Sequence, residues 1–155
     1  PSFPGFHKVK AMLKGVPTTI SPELMYALMK MGHGDEIVLA DGNFPADSHA
    51  QRIIRADGLD VPQILTAILK YFPVDTFVPD VACVMKPVDP TASEPPIWSK
   101  FRTALEQGEG RKMNLTLIER NDFYVRAKKA YAVVATSETA LYANLILKKG
   151  IVVNA

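Results

Sequence analysis

Short, uninterrupted runs of apolar residues alternate with amphipathic helical segments along most of this 155-residue chain. Strands that are buried on both faces show such continuous runs, whereas a sheet with one wet face alternates apolar and polar residues. The helices between the runs supply the layers that cover the two faces. The pattern therefore predicts an α/β fold, in which helices cover a sheet on both sides. The apolar runs are residues 37–40, 82–85, 132–135 and 145–147, and residues 115–118 form a further run that contains one threonine.

Local signals predict where the helices begin and end. Ser21 followed by Pro22 is typical of a helix start, and Gly32 is predicted to take the left-handed conformation that ends this helix. Asp60 is predicted to cap a second helix and Asn121 a later one. Residues 42–49 are predicted as a loop because Gly, Pro, Asp and Ser predominate there. Two further strands are predicted at 75–78 and 151–153.

Charge and cysteine usage limit the partners and the compartment. The chain has 18 Lys and Arg against 16 Asp and Glu, and its basic residues are scattered, which argues against a nucleic-acid partner. No uncharged stretch is long enough to cross a membrane, and the first residues lack the apolar core of a secretory signal. The single cysteine, Cys83, lies in an apolar run and cannot form an internal disulfide. We expect one cytoplasmic domain over residues 12–155, preceded by an N-terminal extension over residues 1–11.

His33 is the first candidate for chemistry, because it lies between two glycines in a helix-to-strand turn. Imidazole is suited to proton transfer near neutral pH, although most histidines in turns serve no catalytic purpose. Asp41 directly follows the strand predicted at 37–40. Its carboxylate could orient His33, accept hydrogen bonds from a ligand, or cap the following turn. Both residues remain open between functional and structural roles on these grounds.

Other polar side chains lie at predicted strand ends, where small ligands usually bind in open α/β sheets. They are Asp75, Arg120, Tyr124, Tyr142 and Asn144. Carboxylate, guanidinium, phenol and amide groups can bind sugar hydroxyls, and each can equally serve structure. No cluster has metal-ligand spacing, no glycine-rich loop has phosphate-binding spacing, and no nucleophile elbow is present. The residues therefore favour proton transfer without a metal or cofactor.

These residues lie in segments that resemble the RbsD/FucU family of ribose pyranases and fucose mutarotases. The resemblance covers residues 12–153 and is strongest over Met31-Gly32-His33-Gly34-Asp35-Glu36-Ile37-Val38-Leu39-Ala40-Asp41. It continues through Asn43-Phe44-Pro45, Ile54-Arg55-Ala56-Asp57-Gly58, Phe123-Tyr124 and Tyr142-Ala143-Asn144. Arg120 and the segments at 43–45 and 123–124 favour the fucose branch. Ser137 departs from the family pattern, in which a glycine is common.

The resemblance implies an RbsD-like, three-layer α/β/α fold with a mixed, largely parallel sheet. It implies that His33 is the proton donor, that Asp41, Arg120, Tyr142 and Asn144 contact a monosaccharide, and that Asp75 and Tyr124 belong to the catalytic set. It also implies a homo-oligomer, a decamer of two pentameric rings. The expected activity is interconversion of the α and β anomers of a sugar, with L-fucose as the expected substrate. A D-ribose pyranase and a non-catalytic sugar-binding or transport-accessory protein are the alternatives.

Overall fold

The computed structural model describes residues 12–154. The predicted extension, residues 1–11, and Ala155 lie outside the described residues. The helices are α1 (Pro22–Lys30), α2 (Ala46–His49), α3 (Val61–Leu69), α4 (Ile97–Glu109) and α5 (Arg120–Lys129). The strands are β1 (Glu36–Ala40), β2 (Ile53–Ala56), β3 (Ala82–Met85), β4 (Thr116–Ile118), β5 (Ala132–Thr136) and β6 (Leu145–Lys148). Over the described residues, no helix combines the length and apolar character that crossing a bilayer requires.

The six strands form one sheet in the order β2-β5-β1-β6-β3-β4. The pairs β1–β5, β2–β5 and β3–β4 are parallel, and β6 is antiparallel to both β1 and β3. Five strands therefore run in one direction and β6 opposes them, which confirms the mixed, largely parallel sheet. We call the side on which β1 ends at Ala40 the carboxyl edge, and the side on which β1 begins at Glu36 the amino edge.

The core has two parts, one on each face of the sheet. Ile37 and Leu39 of β1 point into the part that α1, α3 and α4 cover. Val38 and Ala40 point into the smaller part, to which α2 and α5 contribute. Successive side chains of a strand face opposite sides, so a strand covered on both sides must be apolar throughout. This two-sided burial confirms the α/β fold that the continuous apolar runs predict.

Two of the predicted helix starts are confirmed by their capping hydrogen bonds. The Ser21 side chain accepts a 3.1 Å bond from the Leu24 amide at the start of α1. Asp60 begins α3 with a capping box, in which its side chain and that of Gln63 accept bonds from each other's backbone amides. These bonds satisfy amide donors that have no partner inside the helix.

Other local predictions are wrong. The cap of α5 is Glu119 instead of Asn121, so Arg120 lies in the first turn of the helix. The left-handed residue after α1 is Gly34, with φ of 87°, instead of Gly32. The region at 42–49, predicted as a loop, contains the short helix α2.

Neither of the two additional strands forms. At 75–78, the Asp75 carboxylate accepts hydrogen bonds from the amides of Thr76 and Phe77, and such local bonds compete with strand pairing. At 151–153 the chain has passed beyond its partner strand, because Lys148 already pairs with Glu36, the first residue of β1. Ile151, Val152 and Val153 are consequently exposed.

Candidate active site

A tight turn between α1 and β1 holds His33 at the amino edge of the sheet. The Asp35 side chain accepts a 2.7 Å hydrogen bond from the Gly32 amide. The Gly34 amide donates a 2.8 Å bond to the carbonyl of Lys149, directly after β6. Gly34 has a positive φ, which strains any residue with a Cβ. The turn is therefore fixed on both sides of His33, whose side chain is 43% exposed.

Asp75 is the hydrogen-bond partner of His33. Its Oδ1 lies 3.0 Å from the His33 Nε2, and the carboxyl group is buried. Burial raises the pKa of Asp75, but bonds from His33 and from the amides of Phe77 and Thr76 outweigh it, so the pKa lies below its ordinary value. An ionised Asp75 holds the proton on Nε2, which leaves Nδ1 as the nitrogen that can exchange a proton with a ligand.

The position of Asp75 depends on the end of β6. Its amide donates a 3.0 Å bond to the Lys148 carbonyl, and the Gly150 amide donates a 2.7 Å bond to the Pro73 carbonyl. A Cβ on Gly150 would lie 2.9 Å from the Asp75 Cα, which is closer than such atoms normally approach. The segment after β6 therefore anchors both the turn of His33 and the carboxylate that orients it.

A second polar group lies at the carboxyl edge, around Asp41 and Asn144. The Asp41 amide donates a 2.7 Å bond to the Asn144 side-chain oxygen, and the Asp41 carboxylate accepts a 3.0 Å bond from the Asn43 amide. Burial raises the pKa of Asp41 above its ordinary value, and bonds from nearby amides and from the Asn144 side chain offset only part of this effect. Asp41 is thus held as a hydrogen-bonding group beside an amide, which suits recognition of vicinal hydroxyls.

Tyr142 lies two residues before Asn144, in a strained backbone conformation. Its φ of 55° is unusual for a non-glycine residue, and its carbonyl accepts a 2.8 Å bond from the Trp98 indole. The Tyr142 hydroxyl accepts a 3.1 Å bond from the Val88 amide and keeps its own hydrogen for donation. Strain of this kind is concentrated at functional sites, where the surrounding structure imposes it.

Arg120 and Tyr124 extend the carboxyl edge from the first turns of α5. The Arg120 guanidinium carbon lies 5.6 Å from the centre of the Tyr124 ring, within the range of a cation–π contact. The Tyr124 ring is also 5.7 Å from that of Phe44 and 5.2 Å from that of His49. These rings form an aromatic surface next to β1, which ends at Ala40 just before Asp41.

The candidate residues therefore form two groups at opposite edges of the sheet. His33 and Asp75 lie at the amino edge, whereas Asp41, Asn144, Tyr142, Arg120 and Tyr124 lie at the carboxyl edge. At roughly 3.3 Å per residue, the path from residue 35 to residue 41 along β1 spans about 20 Å. The hypothesis that Asp41 orients His33 is thus wrong within one chain, and Asp75 occupies that role. The two groups cannot contact one sugar ring from the same chain.

The sequence and the fold match known proteins over nearly the whole chain. Residues 14–152 match the model of the RbsD / FucU transport protein family. The chain belongs to the RbsD/FucU family. It is 56% identical to the fucose mutarotase of Homo sapiens over 146 residues, which cover 90% of this chain and 94% of the human protein. It is 47% identical to an L-fucose mutarotase of Haemophilus influenzae over 140 residues, which cover 90% and 97% of the two chains.

A solved structure of this family provides the structural comparison. The fucose mutarotase of Streptococcus pneumoniae, crystallised in complex with L-fucose, superposes on this chain with a TM-score of 0.85 at 49% identity. The match covers 91% of this chain and 100% of the other. The family assignment made from the residue segments is thus confirmed, and so is the RbsD-like fold.

Some residues of the two edges in this RbsD/FucU chain were not predicted as site residues. Phe77 contacts the His33 ring, and His49 and Phe44 contact Tyr124. Phe44 lies in a segment that carried the family resemblance, but no local pattern marks Phe77 or His49. Among residues 12–154, no group of three or more His, Cys, Asp or Glu side chains is placed to hold a metal ion.

Proposed function

We propose that this chain is a mutarotase that interconverts the α and β anomers of a monosaccharide, with L-fucose as its substrate. The relatives from Homo sapiens and Haemophilus influenzae carry the names fucose mutarotase and L-fucose mutarotase, and the Streptococcus pneumoniae structure holds L-fucose. The observation that carries the proposal is the His33–Asp75 pair, because a half-exposed imidazole oriented by a buried carboxylate is suited to general acid–base catalysis.

Anomer exchange requires two proton transfers to open the ring and two to close it, together with cleavage and re-formation of one carbon–oxygen bond. The ring opens when its oxygen receives a proton and the anomeric hydroxyl loses one, which breaks the bond between the ring oxygen and C1 and leaves an aldehyde. The aldehyde then rotates, and the reverse transfers close the ring with the opposite configuration. In our proposal His33 delivers the proton through Nδ1 while Asp75 holds Nε2. A positioned proton transfer of this kind typically contributes about a hundred- to ten-thousand-fold.

The carboxyl edge supplies the groups that bind the sugar. Asp41, Asn144, Tyr142 and Arg120 present acceptors and donors that match hydroxyl groups, and the aromatic surface beside Arg120 suits the apolar face of a sugar ring. Tyr124, whose phenol lies in this group, is our candidate for the second proton relay. Asp75 belongs to the catalytic set because it positions His33.

The active site is completed by two copies of the chain. His33 and the Asp41 group cannot reach one sugar within a chain, so the amino edge of one copy must face the carboxyl edge of a neighbour. The proposal therefore includes a homo-oligomer, and a decamer of two pentameric rings is the arrangement that the family resemblance implies. It also includes a cytoplasmic location, with which the single, buried Cys83 is compatible.

A non-catalytic sugar-binding protein is the second candidate, because the family's description refers to transport. Such a protein needs the hydrogen-bonding groups of the carboxyl edge, but it has no use for an imidazole held in one tautomer by a buried carboxylate. D-ribose pyranase activity uses the same chemistry and differs only in the sugar. Measuring the rate of anomer exchange separates a sugar-binding protein from a mutarotase. Comparing that rate on L-fucose and on D-ribose separates a fucose mutarotase from a ribose pyranase.

Saturation-transfer NMR tests the proposal directly, because irradiation of one anomeric proton reduces the signal of the other when exchange is fast. We expect the purified chain to accelerate exchange of L-fucose more than that of D-ribose, and His33→Ala to abolish the acceleration. Asp57→Asn is the matched control, since Asp57 is exposed and bonds only to Arg55 among the described side chains. Full activity in His33→Ala would refute the assignment of the proton donor, and binding without acceleration by the unaltered chain would favour the second candidate.

A further inference from the structure

Phe77 is an exposed aromatic residue that contacts the ring of His33. The two ring centres are 5.1 Å apart and the planes are inclined by 54°, while 67% of the Phe77 surface is accessible. A single exposed apolar residue is ordinary on a protein surface. Here, however, the exposed ring is held beside the residue assigned as proton donor, so a ligand that reaches His33 comes close to it.

The position of Phe77 is fixed by the same carboxylate that orients His33. Asp75 Oδ1 accepts bonds from the Phe77 amide at 3.2 Å and from the Thr76 amide at 2.9 Å, in addition to its contact with His33. The Arg111 guanidinium donates a 3.3 Å bond to the Asp75 carbonyl and ties this turn to the chain after α4. The imidazole and the phenyl ring are thus neighbours that share Asp75 as their anchor.

The chemistry of anomer exchange places a particular part of the sugar beside these two rings. His33 acts at the ring oxygen, and the carbon bonded to that oxygen on the side away from the anomeric centre is C5. In a 6-deoxy hexose the substituent on C5 is a methyl group, two covalent bonds from the atom that receives the proton. An apolar ring in contact with the imidazole therefore lies next to the C5 substituent.

We propose that Phe77 is a specificity-determining residue, which packs against the C5 methyl group of a 6-deoxy sugar and favours it over sugars that lack this group. The inference rests on the proposed function and adds a residue to which no role in catalysis or in hydroxyl binding has been given. One methylene in a hydrophobic pocket changes kcat/KM by about ten- to two-hundredfold. Phe77 is largely exposed, so an effect near the lower end of this range is expected.

L-fucose and D-arabinose are the pair of substrates that isolates this contact. Their pyranose forms share the configuration of every hydroxyl group, and D-arabinose lacks only the C5 methyl group. We expect Phe77→Ala to reduce kcat/KM for L-fucose about tenfold, with little change for D-arabinose. Phe77→Leu, which keeps an apolar side chain, should retain most of the preference for L-fucose.

Met29→Ala is the matched control, because Met29 is an exposed apolar residue of α1 outside both groups of candidate residues. It should leave both rates unchanged. Equal losses on the two sugars in Phe77→Ala would overturn the inference, because Phe77 would then support His33 or the contact between copies instead of the methyl group. Unchanged rates on both sugars would overturn it as well. Failure of the unaltered chain to accelerate L-fucose exchange would overturn the proposed function together with the inference, and is recognised without any variant.

Discussion

Mixing two inactive variants provides the sharpest test of a site built from two copies. His33→Ala removes the proposed proton donor from the amino edge, and Asn144→Ala removes a proposed binding group from the carboxyl edge, about 20 Å away along the sheet. Each variant alone contains a defect in every site. In a mixed oligomer, a site is intact when its amino edge comes from the Asn144→Ala chain and its carboxyl edge from the His33→Ala chain.

The expected recovery follows from counting these combinations. With equal amounts of the two chains and random assembly, each edge is intact in half of the cases, so about one quarter of the sites should be active. The same fraction applies to a closed ring and to a two-fold dimer, because each site in both cases combines one edge from each of two copies. The coexpressed mixture should therefore show about a quarter of the unaltered rate of L-fucose exchange by saturation-transfer NMR.

Native mass spectrometry provides the necessary control, because it shows whether both chains are present in the same oligomers. A second control is a mixture of His33→Ala with Asp75→Asn, which places both defects on the amino edge and should not recover activity. If mixed oligomers of His33→Ala and Asn144→Ala are present and remain as inactive as the separate variants, the two groups do not form a common site between copies.

Three further predictions concern stability and the anchoring of the amino edge. The folded-state pKa of Asp75 lies below its ordinary value of 3.8, so its ionised form stabilises the fold at neutral pH. This contribution is lost as the pH falls through the lowered pKa. Urea unfolding at fixed protein concentration should therefore show that Asp75→Asn costs stability at neutral pH but not in strong acid. Gly150→Ala should lower the free energy of unfolding by about 1–3 kcal/mol and reduce the rate of anomer exchange, because its Cβ displaces Asp75. Gly32→Ala is the control, because its Cβ meets nothing closer than 3.7 Å, and it should not cause these two losses together. Arg126→Ala should lower the free energy of unfolding by about 3 kcal/mol in the same assay, because the mostly buried Glu36 carboxylate loses its bidentate partner. A loss below about 1 kcal/mol would show that water replaces the guanidinium at Glu36.

The sheet was predictable because its signal is local and redundant. Strands β1, β3, β5 and β6 each contain a continuous apolar run, and Ser21 and Asp60 mark helix starts with side chains that satisfy the first amides. The predicted strand at 75–78 failed for an equally local reason, since an aspartate that bonds to the next two amides bends the chain away from strand geometry. β-propensity in Val and Phe does not reveal this, because it describes how a residue packs in a sheet that already exists.

The pairing of His33 with Asp75 was not predictable from local patterns. The two residues are 42 positions apart, and the end of β6, more than seventy residues further along the chain, brings them together through the Lys148 and Lys149 carbonyls. The separation of His33 from Asp41, in contrast, could have been derived. His33 precedes the apolar run at 37–40 and Asp41 follows it, and a strand between two residues places them at opposite edges of the sheet.

This separation gives the sheet a role beyond packing. In the proposed oligomer, each chain contributes its proton-transfer group to one site and its sugar-binding group to another, so the distance between neighbouring sites depends on the length of β1 and on the strands paired with it. Strands β5 and β6 each pair with four of the five residues of β1, and residues 37–40 are completely buried. A close-packed centre of this kind transmits displacement with little deformation. In that proposed arrangement, the apolar run that defines the fold also acts as a rigid spacer, which holds the two proposed half-sites of one chain in fixed relation so that each can fit its counterpart on a different copy.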